Sequence, residues 1–327
     1  MKYIIALLLL ALSAAQADYG VAKFVNPICE GADPSVVKNP DGPGYYYVYG
    51  GDKLWVEFAL SPADFKGDRK NAVFSTIPGT ICDHHVCAPE LHRIKDKWYV
   101  YFGAADENNV YNMFVVSGDD PTRPFGNLKC MGNYGGCTAV DQTVFEYKGK
   151  LYTCYSVRDP EKPTYSQKLM FAEMASPWEI KDKRVDFVTA ELDWEKSGWE
   201  IVEGPYALQR KGKLYIVYSG SGAQDDGYCL GVLTFKGGDI MNPANWEKRS
   251  TPILKGQGNM MATGHATFIK DADGNDWAVY HMNRPHTAEN MRTWIPRYVC
   301  MQQVVWIDDF PTFSPVVEKP KYFKYEK

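Results

Sequence analysis

Three carboxylates stand at the heads of short strand-like runs: Asp33 in GADPSVV, Asp141 in AVDQTVF and Glu203 in VEGPYAL. Two more polar groups, Glu90 in APELH and His265 in TGHATF, head comparable runs. In each run an apolar residue recurs four or five positions later: Val37, Ile94, Phe145, Leu208 and Ile269. A shared register would aim four carboxylates and one imidazole at one point. Isolated acids beside strands are ordinarily turn-formers or solvated ends, so the repetition carries the reading. Clustered carboxylates repel, so some of their pKa values must rise while partners hold others low. Two acids with split pKa values make a general acid and a general base, the pair that cleaves a glycosidic bond. A third acid nearby can tune or orient the donor. His265 is read as holding a sugar hydroxyl or a metal-bound water, with a core histidine as the plain alternative.

The elements that must position these groups are strands. Five Tyr-, Val- and Trp-rich runs look alike: YYYVYG from Tyr45, KWYVYFG from Lys97, KLYTCYS from Lys150, KLYIVYSG from Lys213 and DWAVYHM from Asp276. Taking Tyr46, Trp98, Leu151, Leu214 and Trp277 as equivalent gives intervals of 52, 53, 63 and 63 residues. Each run follows a turn signal (DGPG, KDK, KGK, KGK, DADGN), and before each turn lies one of the polar-headed runs. No long helical period interrupts them. A repeat near 50 residues built of short strands predicts an all-β fold, a five-bladed β-propeller with the active site at the central axis.

Bulk properties narrow the function. Residues 1–17, MKYIIALLLLALSAAQA, combine Lys2, an apolar stretch and Ala15-Gln16-Ala17, and read as a signal peptide. The apolar stretch falls short of the ~20 residues that span a bilayer. Residues 18–327 are expected to form a single catalytic domain that is secreted and takes no membrane partner. A formal charge of −4 offers no basic footprint for nucleic acid. The 22 Tyr and 9 Trp suit sugar stacking and an all-β core equally. Eight cysteines in an oxidising compartment suggest disulfides, with Cys130–Cys137 the best local pairing and Cys82–Cys87 the next. No C-x2-C pair supports zinc.

The strings GADPSVV, APELH, AVDQTVF, VEGPYAL and TGHATF, in this order and at blade spacing, resemble glycoside hydrolase family 43. The resemblance runs from Asn26 to about Pro315. It implies an inverting hydrolase of plant pentosans, with Asp33 as general base, Glu203 as general acid and Asp141 as the residue that adjusts and orients the acid. It also implies that His265 sits by the axis and helps hold a structural calcium ion through water, with no cofactor required for the chemistry. The stretches YCLGVLTF, NWEKRSTPIL and GHATFIKDADGNDWAVYH look like the exo-acting α-L-arabinofuranosidase branch. RYVCMQQVVWIDDFPTF resembles the closing strand in which an arginine, here Arg297, faces the sugar. Three positions depart from the pattern: Cys87 where a tryptophan often precedes APELH, Cys300 where a second arginine is expected, and Phe310 where a glycine precedes Pro311.

The expectation is therefore a secreted exo-α-L-arabinofuranosidase acting on arabinan or arabinoxylan. A β-xylosidase on the same scaffold is the first alternative, and a non-catalytic polysaccharide-binding propeller the second. Glu90, His92, His265 and Arg297 are the expected substrate contacts, His92 because it shares a strand face with Glu90. Asp83-His84-His85 read as a solvent-facing loop whose histidines can reach substrate. Trp194 and Trp199, just before Glu203, read either as sugar-stacking faces or as packing between blades.

Overall fold

A computed structural model of the chain describes residues 18–159, 161–162, 164–287 and 295–327; the expected signal peptide lies outside the described residues. Five antiparallel sheets follow one another along the chain. Blade one holds Ser35–Lys38, Tyr45–Tyr49, Lys53–Ala59 and Ala72–Ser75. Blade two holds His84–Ile94, Lys97–Ala105, Tyr111–Gly118 and Gly126–Gly132, and blade three Ala139–Tyr147, Lys150–Arg158, Gln167–Ser176 and Glu179–Val188. Blade four holds Val202–Arg210, Lys213–Gly220, Cys229–Phe235 and Trp246–Lys248. Blade five holds Met261–Lys270, Asp276–Asn283 and Arg297–Ile307, and its outer strand is Cys29–Glu30 from the other end of the chain. The first strands of the five blades touch neighbour to neighbour, and the fifth meets the first, closing a ring.

The repeated runs become the second strands. Both faces of such a strand are covered by neighbouring blades, so its sequence is nearly continuous in apolar residues instead of alternating with polar ones. In Lys97–Ala105, Trp98, Val100 and Phe102 face the cluster shared with blade one, while Tyr99 and Tyr101 face the cluster shared with blade three. Five apolar clusters result, one between each adjacent pair of blades. The KGK signals of blades three and four form two-residue turns, with Lys148-Gly149 and Lys211-Gly212 all at positive φ, as the twist of a hairpin requires.

Ring closure is reinforced at the chain ends. Tyr19–Phe24 pairs antiparallel with Lys321–Glu326. Buried Asn26 locks this region to blade five: its Nδ2 donates to the Met301 carbonyl at 2.8 Å and its Oδ1 accepts from the Met301 N–H at 2.9 Å.

Two expectations are corrected. All eight cysteines are unpaired, including Cys130, Cys137, Cys82 and Cys87; Cys130 lies in a strand facing Phe114, while Cys137 closes a separate bridge with Tyr134. The five polar heads also do not share one register. Each blade has a residue with positive φ just before its first strand or within the first five residues of it: Asp33 (47°), Ala88 (43°), Asp141 (58°), Gly204 (53°) and His265 (50°). Asp33, Asp141 and His265 occupy that slot, Glu203 stands one residue before it, and Glu90 two residues after it. A period-2 strand changes face with a one-residue slip, so the counted spacing to the next apolar residue could not separate these cases.

Candidate active site

The slot is a point where the ladder breaks. Pairing skips across it in blades two to five, between Cys87 and Glu90, Val140 and Thr143, Glu203 and Tyr206, and Gly264 and Thr267. Bulges of this kind re-aim side chains at functional rims. The left-handed conformation is uncommon for residues with a Cβ, with Asp and His among the better tolerated. In blade four the slot residue is glycine for a steric reason. A Cβ on Gly204 would stand 2.9 Å from Nδ1 of His265, so glycine leaves room for the neighbouring blade's imidazole and the acid moves one position earlier.

Around Asp33 the partners are cationic or donating. Nη1 of Arg297 lies 2.7 Å from Oδ1 of Asp33, and Nδ1 of His265 lies 3.5 Å from the same oxygen. The same oxygen also lies 3.4 Å from Nδ1 of His281, which in turn sits 3.2 Å from the Asp33 backbone nitrogen. Burial alone would raise the Asp33 pKa; Arg297, His265 and His281 overcome it and hold the carboxyl well below its usual range. His281 itself is fully buried, and burial lowers its pKa to about 4, so it is neutral.

Around Glu203 the surroundings are different. Burial first, then the charge of Asp141, push its pKa up to about 8, against the pull of His265 and of the Tyr228 phenol. Tyr228 donates its O–H to Oε1 of Glu203 at 2.8 Å. Asp141 accepts from Ser156 Oγ at 2.8 Å and from the Gly204 N–H at 3.1 Å, which ties it to the backbone next to the acid. Its own pKa is raised, chiefly by burial. The two corners are joined by a stack: the rings of Tyr228 and His281 lie 5.5 Å apart and 5° from parallel. Gly264 makes that possible, because a Cβ there would meet Cε1 of Tyr228 at 2.1 Å.

Asp33, Asp141, Glu203, His265 and Arg297 line one cavity of about 310 Å³, together with His85, Cys87, Tyr111, Tyr165 and Gln167. A second, larger lobe of about 710 Å³ shares Asp33, His85, Cys87 and Arg297 with it and extends over Gly31, Gly50, Gly51 and Gly67. The three acids, His265 and Arg297 therefore come together as expected. Glu90 and His92 do not line either lobe; His92 Nε2 bonds to Glu90 Oε2 at 2.8 Å, two and four residues along the strand from the slot. Of the histidine pair, His85 lines the cavity while His84 bonds to Asp83 and Asn109. Cys300 lies in the apolar cluster between blades four and five, and Phe310 packs there beside Tyr215. Of the three departures, only Cys87 is a pocket residue. Tyr228 and His281 were missed: Tyr228 immediately precedes the apolar strand Cys229–Phe235, His281 lies within Asp276–Asn283, and nothing in their spacing sets them apart from core.

His265 is protonated more readily than usual. Burial lowers its pKa, but Asp33, Asp141, Glu203 and Glu90 together outweigh burial. Among the described residues no three His, Cys, Asp or Glu side chains converge to ligate a metal ion directly.

The model of glycosyl hydrolases family 43 matches residues 24–311. An extracellular exo-α-(1→5)-L-arabinofuranosidase from Streptomyces chartreusis is 32% identical over 272 residues, covering 80% of this chain and 82% of its own length. An α-L-arabinofuranosidase 43 from Humicola insolens is 30% identical over 91% of this chain, which spans 64% of that relative. Among solved structures, an α-L-arabinofuranosidase from Lactobacillus brevis superposes with a TM-score of 0.79 at 29% identity, covering 90% of this chain and 97% of the other. No helix of the described residues is long and apolar enough to cross a membrane.

Proposed function

Because the chain belongs to glycosyl hydrolase family 43, and so is a glycoside hydrolase acting on the O-glycosyl bonds of a carbohydrate substrate, we propose that it is a secreted, exo-acting, inverting α-L-arabinofuranosidase of arabinan or arabinoxylan. The observation that carries the mechanism is the opposite perturbation of two partly buried carboxylates on one cavity: Asp33 held low, Glu203 pushed up. At neutral pH Asp33 is ionised and takes a proton from water, which attacks the anomeric carbon. Glu203 is protonated and delivers its proton to the departing glycosidic oxygen. Asp141 keeps that proton on Glu203 through its charge and holds the adjoining backbone. Arg297 neutralises Asp33 and lines the sugar pocket. The exo-acting α-L-arabinofuranosidase reading leans on the named activity of the Streptomyces relative.

The test is a panel of aryl α-L-arabinofuranosides, aryl β-D-xylosides and linear arabinan, with product configuration followed by proton NMR. Arabinose released first as the β-anomer supports the proposal; the α-anomer overturns inversion, and faster turnover of the xyloside overturns the sugar assignment. No turnover of any of them points to a polysaccharide-binding propeller. The water-held calcium expected at His265 suits the negative field of Asp33, Asp141 and Glu90, which act on this imidazole. Calcium there would be structural, so chelation should lower the melting temperature and leave the pH profile in place.

A further inference from the structure

The two tryptophans ahead of Glu203 have different surroundings. Trp194 is packed: its ring lies 6.0 Å from that of Tyr218, and its Nε1 donates to the Ser250 carbonyl at 3.0 Å. Trp199 is 51% exposed, and its indole N–H has no hydrogen-bond partner among the described residues. An exposed indole four residues from the proposed proton donor has no account in the fold.

Its position is fixed from two sides. A Cβ on Gly222 would stand 2.7 Å from Cδ1 of Trp199, so the indole rests against bare backbone. The ring of Tyr165 meets it edge-on, with centroids 6.2 Å apart and planes at 88°. Tyr165 is in turn held by Gln167, whose Nε2 donates to its hydroxyl at 2.8 Å, and by Arg158, whose guanidinium lies 5.8 Å over the ring. The two segments run side by side: the Gln167 N–H donates to the Glu200 carbonyl at 3.1 Å, and Gln167 bridges Ile201 in parallel. Tyr165 lines the cavity that holds Glu203, and so does Ala223, next to the Gly222 on which the indole rests, so Trp199 stands beside that cavity on the blade-three and blade-four side.

The side matters chemically. In general-acid cleavage the leaving group departs toward the proton donor, and the attacking water comes from the opposite face of the sugar. Glu203 and Trp199 lie on one connected segment, whereas Asp33 is held by blade five. We propose that Trp199, braced by Tyr165, is the stacking platform for the sugar ring next to the scissile bond, on the leaving-group side. This site rests on the hydrolase reading above and deepens it by giving the aglycone a specific partner. The apolar face of a sugar ring covers the indole, and the free indole N–H donates to a ring hydroxyl. A substrate whose leaving group carries no ring does not use the platform.

The test compares wild type, Trp199→Ala and Trp199→Phe on methyl α-L-arabinofuranoside and on α-1,5-arabinotriose. Trp199→Ala should raise KM for the triose roughly threefold to tenfold, the range expected for one aromatic contact, and leave the methyl glycoside unchanged. Trp199→Phe should recover most of the loss. An equal loss on both substrates, or no loss on the triose, overturns the platform. If wild type cleaves neither substrate, the arabinofuranosidase reading falls and the platform is judged by binding alone. Quenching of tryptophan emission by arabinotriose or xylotriose in wild type but not in Trp199→Ala then upholds it, and no quenching by either sugar overturns it.

Discussion

Asp33 and Glu203 are both partly buried carboxylates on the rim of one cavity, yet their protonation is driven in opposite directions. Burial raises the pKa of each, so burial does not distinguish them. The difference lies in the neighbours: Asp33 faces a guanidinium 2.7 Å away and two imidazoles, whereas Glu203 has no guanidinium and faces the charge of Asp141, which outweighs His265 and the Tyr228 phenol. The proposed acid and base are thus told apart by the company each group keeps, and the aspartate or glutamate identity contributes little.

The sharpest way to break this comparison is to neutralise each acid. Glu203→Gln and Asp33→Asn should each lose roughly a thousandfold in kcat on an unactivated arabinoside, within the span of general acid–base effects. They should then part on a 2,4-dinitrophenyl glycoside, whose leaving group needs no proton: Glu203→Gln recovers and Asp33→Asn does not. Equal recovery of both would reverse or void the assignment.

Next comes the guanidinium. Arg297→Met leaves the burial of Asp33 opposed only by imidazoles, so its pKa rises. The base works ionised; the acidic limb of kcat/KM therefore moves to higher pH, with a fall of about a hundredfold for losing a close charge pair. An unshifted acidic limb in the variant would separate Arg297 from Asp33.

Gly204→Ala probes the steric half of the arrangement. A side chain at positive φ, pressed against His265, should cost about 1–3 kcal/mol, read as a lower denaturant midpoint, and should slow turnover by displacing the acid next to it. Wild-type stability would mean that the imidazole moves aside freely.

The smallest effect is expected at Tyr228. Its phenol donates to Glu203 and so favours the ionised form; without it the acid keeps its proton to higher pH. In wild type the basic limb should fall near pH 8, where Glu203 ionises. Tyr228→Phe should move that limb up by about one unit, since one unit corresponds to the net worth of one hydrogen bond. A downward shift would show that Tyr228 serves the protonated acid instead.

Much of the site was legible because it is written locally. Asp33, Asp141, Glu203 and His265 each head a hairpin whose turn residues and apolar period are contiguous in the chain, and Arg297 matched a position in the closing strand. Glu90 shows where local spacing misleads. It follows Ala88 and Pro89, and a count to the next apolar residue cannot see that the left-handed residue is Ala88. Tyr228 and His281 show the opposite failure. They look like core residues, and they matter only because folding brings His281 to Asp33 across 248 positions and Tyr228 to Glu203 across 25.

By itself the sequence determined the strands, their turns, the repeat that makes five blades, and which residues carry the acids, since hydrophobic period and turn chemistry act between near neighbours. Tertiary structure alone decided which acid keeps its proton, that Glu203 stands one place out of register, that Cys300 and Phe310 are core while Cys87 is pocket, and that Trp199 is left bare where Trp194 is covered. Those outcomes depend on charge, burial and van der Waals contact between blades, and these are quantities that exist only once the ring has closed.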